Sequence, residues 1–191
     1  MHTTQFQNTL FYISIASMCI VANISALTFQ FLYYELPCPL CLLQRFGFLS
    51  IGFGAILSIK HGPALKYDLI IILSSIYTLV VGLRQVLLHI EPNDQGYGSP
   101  FLGLHFYTWS ALISFVLISA MALAPLLNKC LDRMIFLLPY SKHLPKILNL
   151  ALVLTVLINI VSTYFECGLG LCPANPTNYL ELTVGFLYNF I

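Results

Sequence analysis

Long runs of hydrophobic residues, separated by short segments rich in proline and glycine, dominate this chain. Five runs approach the roughly 20 mostly apolar residues that a helix needs to cross a bilayer. They cover approximately Leu10–Tyr33, Leu40–Ile59, Leu69–Ile90, Leu104–Ala124 and Ile147–Phe165. The pattern predicts an all-α fold, a polytopic transmembrane helical bundle in which residues 1–191 form a single integral membrane domain. Residues 166–191 are expected to form an interfacial tail.

Composition supports this prediction. Of the 191 residues, 59% are hydrophobic and only 8% are charged, whereas soluble domains carry about 25% charged residues. The net charge is +1, with no basic patch that could neutralise phosphates, so nucleic acid is not expected as a partner. The first run has no basic segment before it and no small-residue cleavage site after it, and is therefore predicted to be a span rather than a signal peptide.

The distribution of charge predicts the orientation of the spans, because lysine and arginine favour cytoplasmic loops. Six of the eight basic residues lie in the loops after the second and fourth spans, namely Lys60, Lys66, Lys129, Arg133, Lys142 and Lys146. Five of the seven acidic residues lie on the opposite side. We therefore expect a cytoplasmic N-terminus.

This topology divides the six cysteines. Two pairs face outward, Cys38 with Cys41 and Cys167 with Cys172. Cys19 lies in the middle of the first span, where a cysteine behaves as a small buried hydrophobe. Cys130 lies in a cytoplasmic loop and is expected to remain a free thiol, since the cytosol keeps thiols reduced.

The first pair stands where the second span begins. Proline tolerates the first turn of a helix, so Pro39 predicts a helix start that places Cys41 in the first turn. Unpaired N–H groups and the helix dipole stabilise an anion there, and Arg45 lies four residues on, on the same face. Together these features indicate a reactive thiolate in a Cys-x-x-Cys redox site. A stable Cys38–Cys41 disulfide that ties the first two spans is the alternative.

The second pair follows the last span. Gly168 and Gly170 relax the backbone between Cys167 and Cys172 enough for a disulfide to form. That bond is either exchangeable or a structural clip. Zinc on the four outward thiolates is a further option, which an oxidising compartment disfavours.

Two dithiols on one membrane face suggest an electron relay, which needs a terminal acceptor. The sequence has no haem signature, nucleotide-binding glycine motif or iron–sulfur cysteine pattern. A lipid-soluble quinone needs no motif, only an apolar slot and a few hydrogen-bond donors beside a thiolate. Arg45, Gln44 and His89 are the candidate donors, although His89 also suits a simple interfacial position.

The motif Cys38-Pro39-Leu40-Cys41 with Arg45 resembles the DsbB family, over about residues 8–90. Members are bacterial inner-membrane enzymes that reoxidise a periplasmic thiol oxidase, DsbA, at the expense of quinone. The resemblance implies a thiol:quinone oxidoreductase with periplasmic cysteine pairs, a DsbA-like partner, and ubiquinone or menaquinone as acceptor. It also implies that Cys41 reacts with quinone, that Arg45 assists, and that Cys38 exchanges with the second pair.

The second half departs from that family, whose typical member has four spans and carries its second cysteine pair between spans three and four. Here the corresponding loop, Glu91–Gly103, has no cysteine. Four of the five spans are expected to form the DsbB-like core. Cys167 and Cys172 can take the partner-facing role by side and by pairing, although not by position.

Three other functions remain open. A soft-metal transporter would use Cys38 and Cys41 as its first ligands, and metal-dependent uptake that survives a quinone-site inhibitor would favour it. A structural membrane subunit would keep both pairs oxidised when respiration is blocked. A vitamin K epoxide reductase-like enzyme would normally place its quinone-reactive Cys-x-x-Cys near the end of the chain.

Overall fold

The computed structural model describes residues 2–91, 94–131, 143–174, 176 and 179, with side chains omitted for 2–8 and 124–131. Its helices are α1 (His2–Leu32), α2 (Pro39–His61), α3 (Leu65–Leu88), α4 (Phe106–Leu131) and α5 (Leu144–Cys167). Within the described ranges there is no strand, only an isolated bridge between Phe101 and Leu104.

All five helices are long and apolar enough to cross a membrane. The predicted all-α fold with five spans is therefore confirmed. The helix bounds differ by several residues from the hydrophobic runs: α1 starts earlier and α4 ends later than the run that predicted it. Hydropathy marks the part of a helix that suits lipid, whereas backbone hydrogen bonding continues beyond that part.

Helix α2 occupies the centre of the bundle and packs against α1, α3 and α5, while α3 also packs against α4. Glycines allow the α2–α3 backbones to approach closely, as in other membrane bundles. A Cβ atom added to Gly47 would collide with the Thr78 side chain, and one added to Gly54 would lie 2.9 Å from Ile71.

The bundle has two chemically different ends. We call the end formed by the last turns of α1, α3 and α5 and the first turns of α2 and α4 the dithiol end, because Cys38 and Cys41 lie there. Towards the opposite end the core is mainly aliphatic and contains the fully buried Cys19. The Tyr12 hydroxyl there donates a 2.6 Å hydrogen bond to Asp68 of α3.

Some predictions fall outside the described part of the chain. These are the state of the Cys130 side chain, the position of most of the basic loop between α4 and α5, and the interfacial tail beyond Tyr179.

Candidate functional site

The first cysteine pair starts α2 as the sequence predicted. Cys38 is the N-cap residue, Pro39 follows at the first helical position, and Cys41 lies in the first turn. The Cys38 sulfur accepts a 3.1 Å hydrogen bond from the Cys41 backbone N–H, which satisfies one of the orphan donors at the helix start. Proline has no N–H to leave unpaired at this position.

Cys38 and Cys41 are free thiols in the structure, so the predicted disulfide between them is not formed. Hydrogen bonds occupy both sulfurs instead: the Gln85 side-chain amide of α3 lies 3.3 Å from the Cys38 sulfur and 3.5 Å from the Cys41 sulfur. The hydrogen bond that Cys38 shares with Cys41, together with burial, raises the pKa of the Cys38 thiol. A proton kept on Cys38 leaves Cys41 as the nucleophile of the pair.

Gln85 belongs to a buried amide network that the sequence reading missed. The Gln44 side-chain amide donates to the Gln85 side-chain oxygen at 2.7 Å. The Ser110 hydroxyl of α4 donates to the Gln44 side-chain oxygen at 2.7 Å. The network ties α2, α3 and α4 together around the thiols. One signal was present in the sequence, because a glutamine inside an apolar span is costly unless it is hydrogen-bonded.

Arg45 lies one helical turn after Cys41 and is only 9% exposed. Its guanidinium donates to the Gln30 side-chain oxygen at 2.7 Å and to the Ala26 carbonyl at 3.1 Å, both on α1. These bonds use two of its five N–H donors. A buried intramembrane arginine that is held this firmly is expected to serve a function.

A cavity of about 260 Å³ opens between α1, α2 and α4 at the dithiol end. Cys41, Gln44 and Arg45 all line it, so the structure brings together three of the residues singled out from the sequence. Its other walls are mostly apolar or aromatic, with Ala22, Ala26, Phe29, Phe48, Phe106, Trp109 and Ile113 among them.

The loop between α3 and α4 lies over this cavity at the dithiol end. The Tyr97 hydroxyl donates a 2.6 Å hydrogen bond to the Leu36 carbonyl, and Glu35 accepts hydrogen bonds from the Ser99 backbone and hydroxyl. Tyr97 and Glu35 also line the cavity. The loop without cysteines therefore closes the slot beside Cys41.

The structure does not bring His89 into the cavity. Its Nδ1 atom lies 2.9 Å from the Asp94 carboxylate, and its ring stacks on Tyr107 at 5.6 Å. The Gly96 N–H and His89 lower the pKa of the Asp94 carboxyl, which therefore stays ionised as a partner for the ring. This local pairing, which spacing along the chain does not reveal, holds His89 at the C-cap of α3 against the α3–α4 loop.

The second pair, Cys167 and Cys172, forms a disulfide with the Cα atoms 4.7 Å apart. Helix α5 ends at Cys167, and Gly168 follows with a positive φ of 60°, a conformation that favours glycine. Cys167 is only 5% exposed, whereas Cys172 is half-buried. The two sulfurs thus differ in access from outside.

A second polar network connects α5 to Arg45. Gln30, which accepts from Arg45, donates to the Ser162 hydroxyl at 2.6 Å and to the Tyr179 hydroxyl at 3.2 Å. Glu166 lies one turn after Ser162 and is fully buried. Both cysteine pairs therefore lie at the dithiol end, on helices joined through Arg45. Sequence reading missed Gln30 and Glu166 because neither belongs to a motif.

The comparisons with known proteins point to one family. The family described as "Disulfide bond formation protein DsbB" matches residues 8–99. Disulfide bond formation protein B of Chromobacterium violaceum is 35% identical over 109 residues, which are 53% of this chain and 66% of that protein. The protein of the same name from Marinobacter nauticus is 43% identical over 63 residues, 31% of this chain and 38% of its own.

A third relative, disulfide bond formation protein B of Acinetobacter baylyi, is 33% identical over 94 residues, 44% of this chain and 54% of its own. The chain thus spans between about two fifths and two thirds of the lengths of these relatives. No solved structure matches it. The matched region contains the first cysteine pair and Arg45 and ends before α4. With five spanning helices and these relatives, the chain is a multi-pass inner-membrane protein that belongs to the DsbB family.

Proposed function

We propose that this protein is a thiol:quinone oxidoreductase. It generates disulfides by reoxidising a periplasmic DsbA-like dithiol protein and passes the two electrons to a membrane quinone. The observation that carries this proposal is the cavity in which Cys41, Gln44 and Arg45 share one mostly apolar slot. It gives an electron-donating thiol a binding site for an apolar acceptor with polar oxygens.

The lining residues suit a quinone headgroup. Ring carbons favour the apolar and aromatic walls, while the carbonyl oxygens need donors, which Arg45 and Gln44 can supply. A volume of about 260 Å³ holds a headgroup rather than a whole isoprenoid chain, which would extend into lipid. Bound quinone supplies the capacity to accept two electrons and two protons. Ubiquinone and menaquinone share this chemistry.

The proposed electron path has three balanced steps. A partner dithiol reduces the Cys167–Cys172 disulfide, so that a partner disulfide forms and two electrons and two protons reach these cysteines. Cys167 and Cys172 then reduce a Cys38–Cys41 disulfide in the same way. Finally, the Cys38/Cys41 dithiol gives two electrons and two protons to quinone and closes its own S–S bond, with Cys41 as the donor thiolate.

The exposure of the two cysteines of the second pair indicates which sulfur the partner thiolate attacks. Thiol–disulfide exchange requires the attacking thiolate to reach a sulfur in line with the S–S bond. Cys172 is half-buried and Cys167 is buried. The partner is therefore expected to attack Cys172, which leaves Cys167 as the thiol that faces the interior of the dithiol end.

Thiol-dependent quinol formation by the purified protein tests the function. Substitution Cys41→Ser is expected to abolish turnover, because serine cannot donate the electrons. The matched control is Cys19→Ala, which removes the buried thiol of the aliphatic core and should leave turnover intact. Full turnover by Cys41→Ser, or no quinol formation by the unaltered protein, would contradict the proposal.

A further inference from the structure

Glu166 is a buried acid that the proposed electron path leaves unused. It is 0% exposed and lies in the last turn of α5, immediately before Cys167. Neither of its carboxylate oxygens has a hydrogen-bond partner among the described residues. A buried carboxylate without donors is costly, and an acid inside a membrane span is a candidate functional group.

The groups around Glu166 connect it to both cysteine pairs. Its charge interacts electrostatically with Arg45, Cys41 and Tyr97. The Arg45–Gln30–Ser162 hydrogen bonds hold α5 against this cluster, and Tyr179, which accepts from Gln30, also interacts with Arg45. Glu166 is therefore next to Cys167 along the chain and coupled through space to Cys41.

The exchange between the pairs needs a proton acceptor at this place. A thiol must lose its proton before it attacks a disulfide. Cys167 ends α5, where the negative end of the helix dipole disfavours a thiolate, and its burial keeps bulk water away. The Arg45 charge makes a Glu166 carboxylate tolerable, and burial without donors makes the neutral acid tolerable too. Both protonation states are thus accessible.

We propose that Glu166 is the proton-transfer residue of the exchange between the two cysteine pairs, an inference that rests on the proposed function. The Cys167 thiol gives its proton to the Glu166 carboxylate, and the thiolate attacks one sulfur of a Cys38–Cys41 disulfide. That S–S bond breaks as the mixed disulfide forms, and the leaving thiolate takes the proton from Glu166.

The second half of the exchange repeats the transfer. The Cys172 thiol loses its proton through Glu166 and attacks the Cys167 sulfur of the mixed disulfide. This releases the remaining cysteine of the first pair, which takes up that proton. In total, two electrons and two protons pass from Cys167 and Cys172 to Cys38 and Cys41. Glu166 returns to its starting state after each half.

The test uses the full chain without quinone. Fully oxidised protein is mixed with one equivalent of reduced dithiothreitol, quenched in acid and alkylated, and mass spectrometry follows the transfer of thiols from the second pair to the first. With Glu166→Gln, the transfer rate at pH 7 is expected to fall by on the order of a hundredfold, the lower end of general acid–base effects. The difference in rate between Glu166→Gln and the unaltered protein should become smaller above the ordinary thiol pKa of about 8.5, where thiolates form without a proton acceptor.

Two further variants isolate the carboxyl group. Glu166→Asp should restore much of the rate at pH 7, because it keeps the acid. Asp68→Asn makes the same acid-to-amide change at the opposite end of the bundle and should have no effect. A Glu166→Gln rate that is unchanged, or that is lowered by one constant factor at every pH, would overturn the proposal, since a purely structural role predicts a constant factor.

A measurement on the unaltered protein covers the case in which Glu166→Gln does not fold. Transfer between the pairs is expected to slow in heavy water, because protons move with the attack. An unchanged rate would overturn the proposal. The assay contains no quinone, so a protein that exchanges thiols normally but forms no quinol contradicts the proposed function alone.

Discussion

The two cysteine pairs lie at the same end of the bundle but at opposite ends of their helices. Cys38 and Cys41 open α2, whereas Cys167 closes α5 and Cys172 follows it. A helix N-terminus stabilises a thiolate and a helix C-terminus disfavours one. The first pair is held as free thiols by hydrogen bonds, and the second is a disulfide in a glycine-containing loop.

For the proposed function, this difference provides a direction of electron flow from the second pair to the first. The free energy falls when electrons pass from a Cys167 thiolate to a sulfur of the first pair, because the start of a helix, Gln85 and Arg45 stabilise the thiolate formed there. The second pair therefore suits the role of acceptor from a soluble partner, and the first suits the role of donor to an apolar acceptor. Three predictions test this division of roles.

The largest effect is expected when the second pair is removed. The double substitution Cys167→Ser and Cys172→Ser should abolish quinol formation driven by a DsbA-like dithiol protein, because the partner loses its point of attack. A single turnover of quinol formation should persist when quinone is added to the double variant after complete chemical reduction of its thiols, because the last step uses only Cys38 and Cys41. If the double variant still oxidised the protein partner normally, the Cys167–Cys172 disulfide would be only a structural clip.

A smaller effect is expected at Arg45, which lies one helical turn after Cys41 and lines the cavity with it. Arg45→Lys keeps the charge but loses the planar set of donors, and a hydrogen bond to a charged group contributes about 1.5–3 kcal/mol. The Michaelis constant for quinone should rise by roughly tenfold to a hundredfold. Arg84→Lys, at an exposed arginine of α3, is the control. Equal effects of the two substitutions would argue against Arg45 as a quinone ligand.

The smallest effect is expected at the His89–Asp94 pair, between the end of α3 and the loop that follows it. The depressed pKa of Asp94 means that its contribution to loop stability is present above the ordinary carboxyl pKa of about 3.9 and is lost as pH falls through the lower folded value. Asp94→Asn should speed hydrogen exchange of the loop amides at pH 7 without altering the Michaelis constant for quinone. Glu91→Gln is the control. A large rise in that constant would place His89 in the quinone site after all.

Much of the scaffold could be predicted from the sequence because the relevant signals are local. An apolar run of sufficient length can only be satisfied in lipid as a helix, and five such runs became five helices. Proline favours the first turn of a helix, and α2 does begin at Pro39. The i+4 spacing likewise placed Cys41 and Arg45 on the lining of one cavity.

What only the tertiary structure decided is which polar groups meet across helices. Gln85 and Gln30 lie in apolar spans, and their hydrogen-bond partners in these networks are 15 to 149 residues away along the chain. Glu166 likewise lies in an apolar span, and only the fold brings it near Arg45. Helix rotation and depth set such contacts, and hydrophobic periodicity does not determine either in a membrane, where several faces are apolar. For the same reason the position of His89 followed from loop contacts rather than from its depth. The sequence determined the dithiol and its place at the start of α2. The packing of α1, α3 and α5 determined its surroundings.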